Sequence, residues 1–117
     1  QNLFVHPLEI IEWCNALDLR MCFDISHSML AANNFGYSFY EMCEQIAPLT
    51  AHLHIGDAEG LNGEGLQIGD GSIDFERAGK ILQELAPHAT FIPEIWQGHK
   101  NDGEGFWKAL DILEDVI

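Results

Sequence analysis

Acidic and histidine side chains form three clusters in this chain, and each cluster directly follows a short apolar run. The clusters are FDISH at 23–27, HLHIGD at 52–57 and PEIW at 93–96. Such runs predict buried strands, and in a parallel α/β protein the carboxyl ends of the strands carry the chemistry. Carboxylate and imidazole ligands that converge from separate strands suit a divalent metal ion. The spacing therefore predicts a metal site.

The first cluster is a D-x-x-H motif formed by Asp24 and His27. A carboxylate at a strand end can bind a metal, and an imidazole three residues later can turn into the same pocket. Asp24 could instead simply cap the turn that follows it. The motif alone leaves both interpretations open.

The second cluster places His52 and His54 on the same face of a predicted strand, because side chains alternate along a strand. His54 is nearer the carboxyl end and is the better candidate ligand. His52 is a candidate for supporting a ligand or for packing. Asp57 could accept a proton or hold a substrate hydroxyl group near the metal.

The third cluster contains Glu94, which follows an apolar strand and is costly to bury unless it binds a cation or accepts hydrogen bonds. A salt bridge is a weaker explanation here, because the chain has only 5 Lys and Arg against 19 Asp and Glu. Trp96, Gln97 and His99 could line a sugar pocket, although Trp96 could equally be a packing aromatic.

Strands and helices alternate in the pattern of apolar residues, which predicts parallel βαβ units. The predicted helices are 7–18, 37–47, 75–86 and 104–116, the strands are 20–25, 51–55 and 90–95, and the loops are 28–36, 56–73 and 96–103. The loop at 56–73 holds six of the eleven glycines, and loops this long in a small domain are usually functional. Asp74 is predicted to cap the helix that follows it.

All loops that bear polar clusters follow strands, which favours a (β/α)8 TIM barrel over an antiparallel fold. The chain would then be one partial domain, residues 1–117, holding about the last four βα units of a barrel of about 250 residues. QNLF at the start resembles the end of a strand, so we expect a half barrel or a fragment of a larger protein. A flavodoxin-like open sheet is the structural alternative, although no phosphate-binding glycine loop follows the first strand.

Composition narrows the possible partners. The 117 residues are 47% hydrophobic and carry a net charge of −14, which predicts one globular domain and argues against nucleic acid or an anionic membrane as a partner. Cys14, Cys22 and Cys43 form no C-x-x-C pair, so buried free thiols in a reducing compartment are expected. Without a signal peptide or a membrane-length apolar run, a cytoplasmic location is expected.

Three stretches together resemble the carboxyl-terminal half of the xylose-isomerase-like TIM-barrel superfamily, which includes sugar phosphate isomerases and epimerases and apurinic-site endonucleases. They are FDISHS, HLHIGDAEGLNGEGLQIGDGSIDF and FIPEIWQGHKNDGEGF. Their D-x-x-H, H-x-G-D, G-x-G-x-I and P-E motifs occur in the family's order, and the resemblance spans essentially the whole chain.

The resemblance implies specific ligands. In the epimerase branch one divalent metal is held by Glu, Asp, His and Glu, and the last three match Asp24, His54 and Glu94. His27 matches a histidine that contacts substrate. Gln1 stands where the first glutamate is expected, and Gln is a weaker ligand that cannot act as a base.

The implied function is a metal-dependent isomerase or epimerase that acts on a sugar or sugar phosphate through an enediolate. The cofactor would be Mn, Mg, Co or Zn, with Glu94 transferring protons and His27 polarising a substrate oxygen. His27, Asp57, Trp96 and His99 are the predicted substrate contacts, and Lys100 or Arg77 could meet a phosphate.

Two alternatives remain. The chain could be a non-catalytic sugar-binding or regulatory module of a larger carbohydrate enzyme, paired with the rest of that chain or with a second copy. An apurinic-site endonuclease is less favoured, because that branch needs a D-x-H pair where this chain has NGEGLQ at 62–67.

Overall fold

The computed structural model describes residues 6–117 of the chain. Its helices are α1 (Pro7–Leu17), α2 (Ile25–Phe35), α3 (Phe39–Ile46), α4 (Phe75–Leu85) and α5 (Lys100–Glu114), and its strands are β1 (Met21–Asp24), β2 (Thr50–Ile55), β3 (Asp57–Glu59), β4 (Gly63–Leu66) and β5 (Thr90–Pro93). The predicted strand at QNLF and the ligand position Gln1 lie outside this range.

Three strands form a parallel sheet in the order β1-β2-β5, with β2 in the middle. This arrangement confirms the predicted parallel α/β architecture. No closed barrel forms within residues 6–117, so the half-barrel interpretation stays a prediction.

The two faces of the sheet differ in chemistry because side chains alternate along each strand. Phe23, Leu53 and Ile55 are buried on the face that the helices cover. His52 and His54 point to the opposite face, together with Asp24. The helix-covered face supplies the core, and the opposite face carries the polar groups.

Helix α2 occupies most of the segment 28–36, where the sequence predicted a loop, so that prediction was wrong. The side chain of Asp24 caps the helix by accepting a hydrogen bond from the backbone N–H of His27 at 2.9 Å, and Gly36 ends it in the left-handed conformation. Ser28, Asn33 and Asn34 weaken the helical pattern of the sequence, and buried residues such as Ile25, Leu30 and Ala32 hold α2 in place through tertiary packing.

The other helices confirm the predicted pattern with small changes in their ends. Asp74 caps α4 by accepting from the N–H of Arg77 at 3.0 Å, as predicted. Three consecutive left-handed residues, 101–103, interrupt the start of α5, so its regular part agrees with the predicted helix at 104–116. In α1 the buried residues are Pro7 and Cys14, whereas Leu8 and Leu17 are more than half exposed.

The predicted loop at 56–73 contains a short antiparallel hairpin formed by β3 and β4. Asp57 at the start of this hairpin is fully buried. Its two carboxylate oxygens accept hydrogen bonds from the backbone N–H groups of Ala58, Gly69, Gly71 and Ile73, at 2.8 to 3.1 Å. The carboxylate therefore fixes the shape of the whole glycine-rich loop.

The cysteines only partly match expectation. Cys14 and Cys43 are buried and Cys22 is exposed, and all three are free thiols. Cys22 is paired in register with His52 on the polar face of the sheet. Within residues 6–117 no helix combines the length and the apolar character needed to cross a membrane.

Candidate metal centre

Asp24, His54 and Glu94 meet at one edge of the parallel sheet. Asp24 ends β1 and is paired in register with His54 on β2. The register pairs His54 with Ile92 on β5, and Glu94 lies two residues further along the same face. The N–H of Glu94 donates to the carbonyl of Ile55 at 2.8 Å, which extends the pairing of β2 and β5 as far as Glu94.

The distances within this triad are short. The Nδ1 atom of His54 lies 2.8 Å from Oε2 of Glu94 and 3.9 Å from Oδ2 of Asp24. One ligand atom from each of the three residues can be chosen so that all lie within 4.8 Å of one another. A divalent cation about 2.0–2.2 Å from each donor would need only small adjustments of these side chains.

The chemistry of the donors also fits a cation. Two carboxylates and one imidazole form a set that suits Zn²⁺ or Mn²⁺. Within residues 6–117 the ion pairs of Asp24 and Glu94 involve histidines only, and no Lys or Arg neutralises them. Two carboxylates held together without a Lys or Arg partner favour a bound metal ion.

His27 lies beside the triad at the start of α2, with a carboxylate on each ring nitrogen. Its Nδ1 atom is 2.7 Å from Oδ2 of Asp24, and its Nε2 atom is 2.8 Å from Oε2 of Glu64. The hydrogen bond to Asp24, with a smaller contribution from Glu64, raises the pKa of His27 above its usual value. Protonated His27 can donate through both nitrogens, because only the imidazolium carries two N–H groups.

Glu64 was missed by the sequence analysis. It lies on β4 inside the segment that was predicted to be a loop, and no spacing to Asp24 or His54 in the sequence marks it. The hairpin brings it to His27, and only knowledge of that hairpin could have found it.

A cavity of about 590 Å³ opens beside the triad. Its lining includes two triad residues, the His27–Glu64 pair and the segment that follows β5. These residues are Asp24, His27, Glu64, Glu94, Trp96, Gln97, His99 and Lys100. The predicted contacts His27, Trp96 and His99 therefore share one cavity with Asp24 and Glu94. Trp96 is 76% exposed, so it is not a core aromatic.

The segment that carries Trp96 is held against the hairpin. The N–H of Trp96 donates to the carbonyl of Gly65 at 2.7 Å. Gln97 adopts a left-handed backbone with φ 57°, a conformation that costs energy for a residue with a side chain and that often occurs at binding sites. Its Oε1 atom accepts from Nζ of Lys100 at 3.0 Å.

Two predicted site residues lie elsewhere. The buried carboxylate of Asp57 is used entirely by backbone N–H donors and is not in the lining of the cavity, so we assign it to loop structure and not to substrate contact. His52 lies one layer below His54 on the same face, where its Nδ1 atom is 2.7 Å from Oγ1 of Thr90. Its ring centroid lies 5.5 Å from that of His54, so both expected roles of His52, supporting a ligand and packing, stay predictions.

Comparison with known proteins adds two findings. The profile of the family described as xylose isomerase-like TIM barrel matches residues 2–116. The uncharacterized protein MJ1311 of Methanocaldococcus jannaschii is 33% identical over 110 residues, a region that covers 94% of this chain and 35% of the relative. The chain thus spans about a third of the length of that relative.

Proposed function

This chain belongs to the xylose isomerase-like TIM barrel family, and we propose that it carries the metal centre of a sugar or sugar-phosphate isomerase or epimerase. The observation that supports this proposal most directly is the convergence of Asp24, His54 and Glu94 beside a cavity of about 590 Å³. A cavity of this size can hold a sugar.

Asp24, His54 and Glu94 would hold a divalent cation such as Mn²⁺, Mg²⁺, Co²⁺ or Zn²⁺. When bound, the cation supplies positive charge that favours loss of a proton from the carbon next to a carbonyl group. The family match and the donor set support this proposal together.

Glu94 is the proposed proton carrier. Its carboxylate is about half exposed and lines the cavity, so a substrate C–H can reach it. In the proposed reaction Glu94 takes the proton from the carbon next to the carbonyl, the C–H electron pair forms a C=C bond, and the C=O electron pair moves onto the carbonyl oxygen to form an enediolate. In isomerisation Glu94 returns the proton to the former carbonyl carbon, while the proton of the neighbouring hydroxyl passes to the former carbonyl oxygen. In epimerisation the proton on the opposite face of the same carbon would come from solvent water, because Glu94 reaches one face only.

His27 and Trp96 would orient the substrate. The ring of His27 lines the cavity, so a substrate oxygen could take the place of Glu64 at its Nε2 atom. The exposed ring of Trp96 offers an apolar surface for the C–H face of a sugar. Lys100 lines the same cavity and could bind a phosphate, so phosphorylated and unphosphorylated sugars are both proposed substrates.

Exchange of substrate protons with solvent tests this function directly. The metal-loaded protein is incubated in D₂O with the four D-2-ketohexoses and their 1-phosphates, and deuterium on the carbons next to the carbonyl is followed by NMR. We expect exchange with at least one sugar and its loss in Glu94→Gln. Glu84→Gln, an exposed change on α4, should leave it intact. Exchange that survives Glu94→Gln would contradict the assignment of Glu94.

A second candidate is a non-catalytic sugar-binding module. The triad offers three candidate ligands within residues 6–117, one fewer than the four implied by the resemblance. Sugar binding by the metal-loaded protein without any proton exchange would favour this candidate. Cleavage of apurinic sites is less favoured, since residues 62–67 contribute Glu64 to the site and contain no histidine.

A further inference from the structure

We propose that Glu64 determines substrate specificity by accepting a hydrogen bond from a hydroxyl group of the sugar. The inference rests on the proposed sugar-binding function of the same cavity. It starts from the contact between Nε2 of His27 and Oε2 of Glu64 at 2.8 Å. Both side chains are more than half exposed, and both line the cavity.

The position of Glu64 is fixed by the backbone of the next residue. The N–H of Gly65 donates to Oγ of Ser26 at 2.8 Å, and Ser26 in turn donates to the carbonyl of Asp57 at 3.1 Å. On its other side the carbonyl of Gly65 accepts the N–H of Trp96 at 2.7 Å. Ser26 is itself buried, so these anchors are shielded from water and hold the hairpin against α2.

Gly65 is suited to this position. Its φ of 62° lies in the left-handed region that side chains disfavour. A Cβ atom there would also lie 3.4 Å from the backbone nitrogen of Trp96. The exposed carboxylate of Glu64 is therefore presented from a rigid support, as expected for a binding group rather than for a mobile surface acid.

The carboxylate of Glu64 offers hydrogen-bond acceptors to the cavity. Its Oε2 atom lies 2.8 Å from Nε2 of His27, and its exposed side chain lines the cavity. A sugar hydroxyl can donate to this carboxylate, because its two oxygens offer several acceptor positions. A phosphate or carboxylate group at this place would instead meet the negative charge of Glu64. Glu64 should thus select a neutral hydroxyl at this end of the substrate.

Ligand binding to the Mn²⁺-loaded protein tests this inference. Calorimetry measures the binding of the four D-2-ketohexoses and their 1-phosphates to wild type, to Glu64→Gln and to Glu59→Gln, which alters an exposed acid on the same hairpin. We expect Glu64→Gln to weaken binding of the preferred unphosphorylated sugar by about tenfold, because a hydrogen bond to a charged group is lost. Glu59→Gln should match wild type.

The binding of Mn²⁺ alone separates the possible outcomes. Glu64 is not a proposed ligand, so Glu64→Gln should keep wild-type Mn²⁺ affinity within about twofold. Sugar binding that is equally strong in wild type and Glu64→Gln overturns the role of Glu64 and leaves the proposed function standing. If wild type binds Mn²⁺ but none of the sugars, the proposed function and the role of Glu64 are both overturned.

Discussion

The Nδ1 atom of His54 lies 2.8 Å from Oε2 of Glu94, although the two residues belong to different parts of the chain. The parallel register of β2 and β5 creates this contact, and the hydrogen bond from the N–H of Glu94 to the carbonyl of Ile55 maintains it. A cation held by the triad would bind Nδ1 of His54 and the carboxylate oxygen of Glu94 as separate ligands, in place of their present contact. The contact therefore marks where metal binding competes with direct pairing of the two side chains.

Asp57→Asn should lower the free energy of unfolding by about 2–3 kcal/mol. Four backbone N–H groups lose a charged acceptor, and the new NH₂ group of asparagine, itself a donor, points at some of these N–H donors. Urea unfolding measures the change in the free energy of unfolding. Asp70→Asn, an exposed change in the same loop, should alter it by less than about 0.5 kcal/mol. Equal stability of the two variants would show that the buried carboxylate does not hold the loop.

Gly79→Ala should also destabilise the protein, although alanine is normally favoured over glycine inside a helix. Alanine normally stabilises a helix interior by about 1 kcal/mol relative to glycine. In α4, however, a Cβ atom at residue 79 would collide with the backbone carbonyl oxygen of Val116. We expect a net loss of about 1–3 kcal/mol in thermal or urea unfolding, whereas Glu84→Ala on the exposed side of α4 should be nearly neutral. A stabilised Gly79→Ala variant would contradict the close packing of α4 on the carboxyl-terminal residues.

Cys43 should resist alkylation while the protein is folded. Burial raises the pKa of its thiol to about 12, so at pH 8 only about one molecule in ten thousand carries the reactive thiolate. Mass spectrometry after iodoacetamide treatment should show Cys43 unmodified in native protein and modified in urea. Rapid modification of Cys43 in the folded state would mean that the core around α3 opens readily.

Much of the candidate site could be predicted from the sequence, because the candidate ligands lie at the ends of short apolar strands. Asp24, His54 and Glu94 each follow such a run, and parallel strands bring their carboxyl ends to one edge. Asp24 also caps α2, so the two interpretations of the D-x-x-H motif are not exclusive. Oδ1 of Asp24 accepts the N–H of His27 in the helix cap, and Oδ2 faces the candidate metal site.

Glu64 and Asp57 could not be assigned from the sequence, because their roles depend on long-range contacts. A glycine-rich stretch gives little periodic signal, and the β3–β4 hairpin within it is held by Asp57, Ser26 and Trp96. Asp57 resembled a substrate contact because it lies near His54 in the sequence. The chain turns after Ile55, so its carboxylate is directed into the loop and away from the cavity.

Mn²⁺ binding to wild type and Asp24→Asn is the most direct test of the metal centre. Asparagine keeps the cap on α2 but removes the charge, so loss of binding will not reflect unfolding of the helix. Asp74→Asn makes the same change at the cap of α4, away from the triad. Calorimetry should show one Mn²⁺ per chain in wild type and Asp74→Asn, with affinity at least about tenfold lower in Asp24→Asn. Absence of Mn²⁺ binding in wild type, or equal affinity in all three proteins, would contradict the metal centre.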